Sequence, residues 1–88
     1  MLVAAREAKD RLFDSFAEVG RALGSGRRLE LVDVLSQGER SVEDLATEVG
    51  QSVANTSNHL RALAQAGLVE TRRHGNRVIY RLASEHVG

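Results

Sequence analysis

Apolar positions repeat at helical spacing over most of the chain and switch to strict alternation near its end. Between residues 3 and 23, Ala5, Ala8, Leu12, Phe16, Val19 and Leu23 recur at steps of three and four, which predicts a helix. A second stripe of Phe13, Ala17 and Gly20 runs beside the first. One stripe suffices for packing onto a single core. Two adjoining stripes predict burial on two sides, the second against another copy of the chain. Gly24-Ser25-Gly26 interrupts this helix, and Ser25 is suited to cap the next. Residues 27–36 carry Leu29, Leu31, Val32, Val34 and Leu35, apolar round most of the circumference, as in a central, largely buried helix that ends at Gln37-Gly38.

Ser41-Val42-Glu43-Asp44 reads as a variant capping box, with Ser41 at the N-cap and Asp44 at the third helical position. Val42, Leu45, Ala46 and Val49 then define a short amphipathic helix, with Gly50 placed to end it. Ser52 caps a further helix whose inward set is Val53, Thr56, Leu60, Leu63 and Ala64, and Gly67 terminates that one. The period then changes. Residues 68–73 and 77–82 flank His74-Gly75-Asn76, a hairpin signature with Val78, Tyr80 and Leu82 on one face and Arg77, Ile79 and Arg81 on the other. Ala83 to Gly88 reads as the first turn of another helix capped by Ser84.

Composition narrows the function classes. Eighty-eight residues make one small domain, short enough to gain from a partner. With no cysteine there is no disulfide framework, thiolate metal site or thiol redox switch. No apolar run is long enough to cross a membrane, and the start lacks a signal-peptide pattern, so a cytoplasmic protein is expected. No nucleophile, base and acid fall into a catalytic arrangement, so no enzyme activity is expected. Formal net charge is zero, yet its distribution is uneven. Residues 1–51 hold seven basic against ten acidic residues; residues 52–82 hold Arg61, Arg72, Arg73, Arg77 and Arg81 against Glu70 alone. Such asymmetry points to a polyanionic partner, the alternative being a solvated hairpin with ordinary surface arginines.

Two short amphipathic helices joined through Gly50-Gln51-Ser52 outline a helix-turn-helix, and the arginine-rich hairpin after it makes a winged arrangement. With the inward set assigned, Ala54, Asn55, Asn58 and Arg61 face outward, and Ser57 and His59 lie on the flanks. Solvated helix faces usually favour Glu, Lys, Gln and Arg for their propensity, whereas this one has no acidic residue from 52 to 69. Short amides and hydroxyls near a helix N-terminus can approach base edges: Asn suits adenine, and Ala54 can touch a thymine methyl. The free N–H groups there can also receive a phosphate.

The run from Ala22 to Leu82, about two thirds of the chain, resembles without gaps the ArsR/SmtB family of winged helix-turn-helix transcriptional repressors. "RRLELVDVL", "SVEDLA", "SNHLRALAQAGLV" and the "RRHGNRVIYRL" wing carry the likeness, and "SVANTSNHL" also resembles the subset fused to a rhodanese-type domain. The resemblance implies a homodimer that binds a palindromic operator in double-stranded DNA and releases it on binding an inducer, often a metal ion. It also places His59 in the recognition helix as a phosphate or base contact, against the plainer reading of a packed or surface histidine.

The departures are equally specific. The family's third-helix metal motif, Glu-Leu-Cys-Val-Cys-Asp-Leu, aligns with Glu39-Arg40-Ser41-Val42-Glu43-Asp44-Leu45, so Ser41 and Glu43 replace the thiolates and no soft-metal site is expected. The family's Asp-X-His pair becomes Ser84-Glu85-His86, which keeps only the histidine, read here as solvent-exposed. Gly26 stands where the family often has proline.

The expectation is therefore a mainly helical α+β winged helix-turn-helix forming a single domain over 1–88. Residues 1–23 would dimerise through Leu12, Phe13, Phe16 and Ala17; residues 41–66 form the helix-turn-helix and 68–82 the wing. Ser52, Asn55, Ser57, Asn58 and His59 face the major groove with Ala54; Arg61 holds phosphate; Arg73, His74 and Arg77 grip the backbone or minor groove from the wing. No cofactor and no membrane partner are expected. The rival class is a winged-helix interaction module that docks a protein or an attached, rhodanese-like domain.

Overall fold

The structure, a computed structural model, describes residues 2–83. The helix anticipated from Ser84, and with it His86, lies outside the described residues. Four helices and three short strands follow in the order α1 (Leu2–Ala22), α2 (Gly26–Leu35), β1 (Arg40–Ser41), α3 (Val42–Val49), α4 (Val53–Gln65), β2 (Val69–His74) and β3 (Arg77–Leu82). The strands form one antiparallel sheet in the order β1-β3-β2. This is the winged helix-turn-helix read from the sequence, with an added strand. Two residues are too few to show an alternating pattern, so β1 was invisible until Arg40 paired with Tyr80 and Ser41 with Ile79.

The core lies where α2, α3 and α4 meet and is closed by the sheet. Leu31, Leu45, Leu60 and Leu63 are wholly buried, joined by Leu35, Val49, Ala22 and Val69. Tyr80 and Leu82, on the predicted inner face of β3, pack against it. The ends of α3 and α4 are settled locally. The hydroxyls of Ser41 and Ser52 accept from the backbone N–H groups of Asp44 (3.1 Å) and Asn55 (3.0 Å). Leu68 N–H reaches the Leu63 carbonyl and Gly67 N–H the Ala64 carbonyl, a Schellman closure of α4 that turns the chain into β2.

Three expectations about burial are corrected. Of the described side chains of α1, only Val19 and Ala22 are shielded from solvent, whereas Ala5, Ala8, Leu12 and Phe16 are exposed. The reason is length: 21 residues make a helix of about 31 Å, longer than the 27 × 20 Å cross-section of the molecule, so α1 runs past the core. Phe13 and Phe16 remain 58% and 63% exposed on this chain alone. In α2 the burial is one-sided: Leu31 and Leu35 are buried, Val32 and Val34 half-buried, and Leu29 is 52% exposed. In α4, Val53 and Ala64 face solvent rather than the core, because the core reaches this helix only through Thr56, Leu60 and Leu63.

Candidate nucleic-acid interface

The turn between α3 and α4 is fixed by backbone chemistry. Gly50 adopts φ +66°, a left-handed conformation that costs an L side chain about 1–2 kcal/mol; that geometry is the helix stop. Gln51 N–H then bonds the Ala46 carbonyl at 3.0 Å and Gly50 N–H the Thr47 carbonyl at 3.2 Å. Ser52 caps α4 immediately afterwards, so three residues redirect the chain and leave the first turn of α4 projecting.

On α4 the outward set is as anticipated: Ala54, Asn55, Asn58 and Arg61 are exposed, and Ser57 and His59 are half-buried on the flanks. Arg61 donates to the Asn58 side-chain oxygen, so these two outward groups form a unit. His59 is drawn inward. Its Nδ1 accepts from Arg28 Nε at 3.0 Å, and Arg28 Nη1 also approaches the Ala22 carbonyl at 3.5 Å. That network ties α4 to the α1–α2 junction and leaves Nε2 of His59 without a hydrogen-bond partner among the described residues. Thr56 is wholly buried, and its hydroxyl finds no hydrogen-bond partner among the described residues.

The wing is a two-residue hairpin in which His74 pairs with Arg77 across Gly75-Asn76. Gly75 has φ +65° and Asn76 does not share the positive φ, the pattern of a type II′ turn. Register places Arg73 beside Val78 on the face that carries Val69, Thr71, Tyr80 and Leu82, beyond the point where the core ends. Arg73 and His74 are both exposed.

The charge of this half is less free than the sequence implied. Arg72 lies 2.6 Å from Glu39 and Arg81 lies 3.0 Å from Glu70. The hydrogen bond from Arg72 holds the Glu39 carboxyl below its ordinary value; desolvation opposes it, and the charges of Arg72 and Arg81 assist. This brace is present at neutral pH and is lost as pH falls through that lowered value. Arg77, expected to grip DNA, is 53% exposed and reaches α3. Its Nη2 donates to Ser41 Oγ at 2.9 Å and stands 3.9 Å from both Glu43 and Asp44. Among the described residues, Arg61 and Arg73 are the arginines of this half with no carboxylate within ion-pair distance.

Ser41 and Glu43, at the positions of the resembled family's thiolates, do not fit a soft metal. Neither supplies sulfur, and the Ser41 hydroxyl already accepts from Asp44 N–H and from a guanidinium. Among the described residues, no three His, Cys, Asp or Glu side chains group as a metal site would require.

Fold and site together define a winged helix-turn-helix with a polar recognition helix. The family model described as "Bacterial regulatory protein, arsR family" matches residues 25–71, from the α2 cap into β2. The HTH-type transcriptional regulator Rv0324 of Mycobacterium tuberculosis is 49% identical over 81 residues, covering 92% of this chain and 36% of that protein. KmtR, another HTH-type transcriptional regulator of that organism, is 43% identical over 70 residues, covering 80% of this chain and 54% of its own length. The chain thus spans about a third to a half of these relatives. A solution structure of the homodimeric winged helix-turn-helix DNA-binding domain (fragment 1–100) of Mb0332 from Mycobacterium bovis, described as a possible ArsR-family transcriptional regulator, superposes with a TM-score of 0.83. Its identity is 50%, over 86% of this chain and 70% of that one. The chain belongs to the ArsR family of bacterial regulatory proteins.

Proposed function

We propose that the chain is the DNA-binding part of a cytoplasmic transcriptional repressor that acts as a homodimer on a palindromic operator. The observation that carries this is the exposed face of α4, where amides, a hydroxyl and Arg61 follow a capped N-terminus and no acidic residue occurs from 52 to 69. In this reading Asn55 and Asn58 read base edges with Ala54 beside them, and Ser52 and Ser57 contribute hydroxyls at the margins. Arg61 holds phosphate, His59 offers Nε2 to a phosphate, and Arg73 and His74 meet the backbone from the wing. Arg77 supports the wing from behind rather than touching DNA.

The apolar face of α1, with Leu12, Phe13, Phe16 and Ala17 exposed, supports dimerisation through that helix. Two recognition helices would then stand about one DNA turn, roughly 34–36 Å, apart. The relatives' names, all of transcriptional regulators, favour this reading over an interaction module.

Selection from random duplexes, followed by titration at several salt concentrations, tests the proposal. The expected result is a two-fold-symmetric motif bound tightly and with strong salt dependence. Asn58→Ala should alter the selected sequence; an equal loss on operator and random DNA would remove Asn58 from base reading. Failure to bind any duplex at low salt, together with binding to a partner domain, would transfer the assignment to the interaction module.

A further inference from the structure

Helices α3 and α4 open with the same pair, a capping serine followed by valine: Ser41-Val42 and Ser52-Val53. The two valines meet different surroundings. Val42 is half-buried and packs against the core, whereas Val53 is 45% exposed and lies outside the core cluster. Packing within the chain therefore does not account for Val53. Its neighbours are the exposed Ser52, Ala54 and Asn55, and no acidic residue occurs between 52 and 69. The first turn of α4 thus exposes an apolar side chain whose neighbours along the chain can hydrogen-bond and carry no negative charge.

We propose that Val53 determines specificity by packing its methyl groups against the C5 methyl of a thymine in the major groove, an inference that rests on α4 being the DNA-reading helix. Thymine carries the one methyl group that a base pair presents in that groove, beside acceptors and donors that Ser52 and Asn55 can meet. The surroundings favour this occupant over a protein. An apolar protein anchor requires a wider contiguous patch than one valine and one alanine set among polar residues.

The experiment uses an operator selected by the wild-type chain, with each thymine replaced in turn by deoxyuridine, which lacks only the C5 methyl. At one thymine in each half-site, the replacement is expected to weaken wild-type binding about fourfold, the order of one buried methyl group. Val53→Ser is expected to bind both duplexes alike at that position while keeping the wild-type pattern at every other thymine. Val53→Ile is expected to retain the discrimination. Melting curves should show all three proteins equally folded, since the side chain lies outside the core. The assignment of Val53 is overturned if no thymine is sensitive to the replacement, or if Val53→Ser keeps every wild-type penalty. A chain that selects no duplex overturns instead the reading of α4 on which the inference rests.

Discussion

Thr56 stands near the start of α4 with its side chain wholly buried and its hydroxyl without a hydrogen-bond partner among the described residues. A buried hydroxyl without a partner carries an uncompensated desolvation cost of roughly 1–3 kcal/mol. Valine has the same shape without that group, so Thr56→Val is expected to raise stability by about 1 kcal/mol. Chemical denaturation at fixed protein concentration checks this; a loss of stability would mean that the hydroxyl has a partner. The arginines divide by the same reasoning. Arg73 is exposed and meets no carboxylate among the described residues, whereas Arg77 is held by Ser41, Glu43 and Asp44. Arg73→Ala should lower the slope of log affinity against log salt by about one. Arg77→Ala should weaken binding with the slope unchanged, and a drop of one unit there would return Arg77 to the phosphate contacts. The sequence supplied the positive charge of both residues but not its disposition, because an ion pair between α3 and β3 joins positions far apart in the chain.

At the scale of elements, α3 and α4 each depend on one serine, yet the two serines differ in what they hold. Ser52 caps α4 and is exposed; Ser41 is 2% exposed, caps α3, pairs with Ile79 in the sheet and accepts from Arg77. Ser52→Ala should cost about 1 kcal/mol, the worth of a cap. Ser41→Ala should cost about 2 kcal/mol, since it also releases the guanidinium at the base of the wing. Urea titration of the two variants compares them directly, and equal losses would show that Arg77 adds nothing through Ser41. Both caps, the Gly50 stop and the hairpin turn were legible in the sequence, because each is made by residues within five positions of one another. The strand β1 was not, and neither was the outward placement of Val53, although Ser-Val opens both helices. In each case the deciding contact, or its lack, lies across the fold.

At the scale of the whole molecule, α1 meets the core only through its C-terminal end, around Val19 and Ala22, among the described residues. It carries two phenylalanines more than half exposed. A contiguous apolar face of this kind on an 88-residue chain is a liability unless another surface covers it. Sedimentation is expected to show a two-chain species that Phe16→Glu converts to one, with a melting temperature that depends on concentration only in the wild type. A monomeric wild type would count against dimerisation through this helix.

The sequence by itself determined where each helix starts and stops, the helix-turn-helix order, the hairpin and the composition of the α4 outer face. Those properties follow from local backbone chemistry and from periodicity, which act over a few residues. Only the tertiary structure decided which of those residues are free to act. It drew His59 towards Arg28, engaged Arg77 with Ser41, left Arg73 exposed and turned Val53 outward. Such outcomes depend on what stands opposite a side chain in space, and periodicity along the chain carries no record of that.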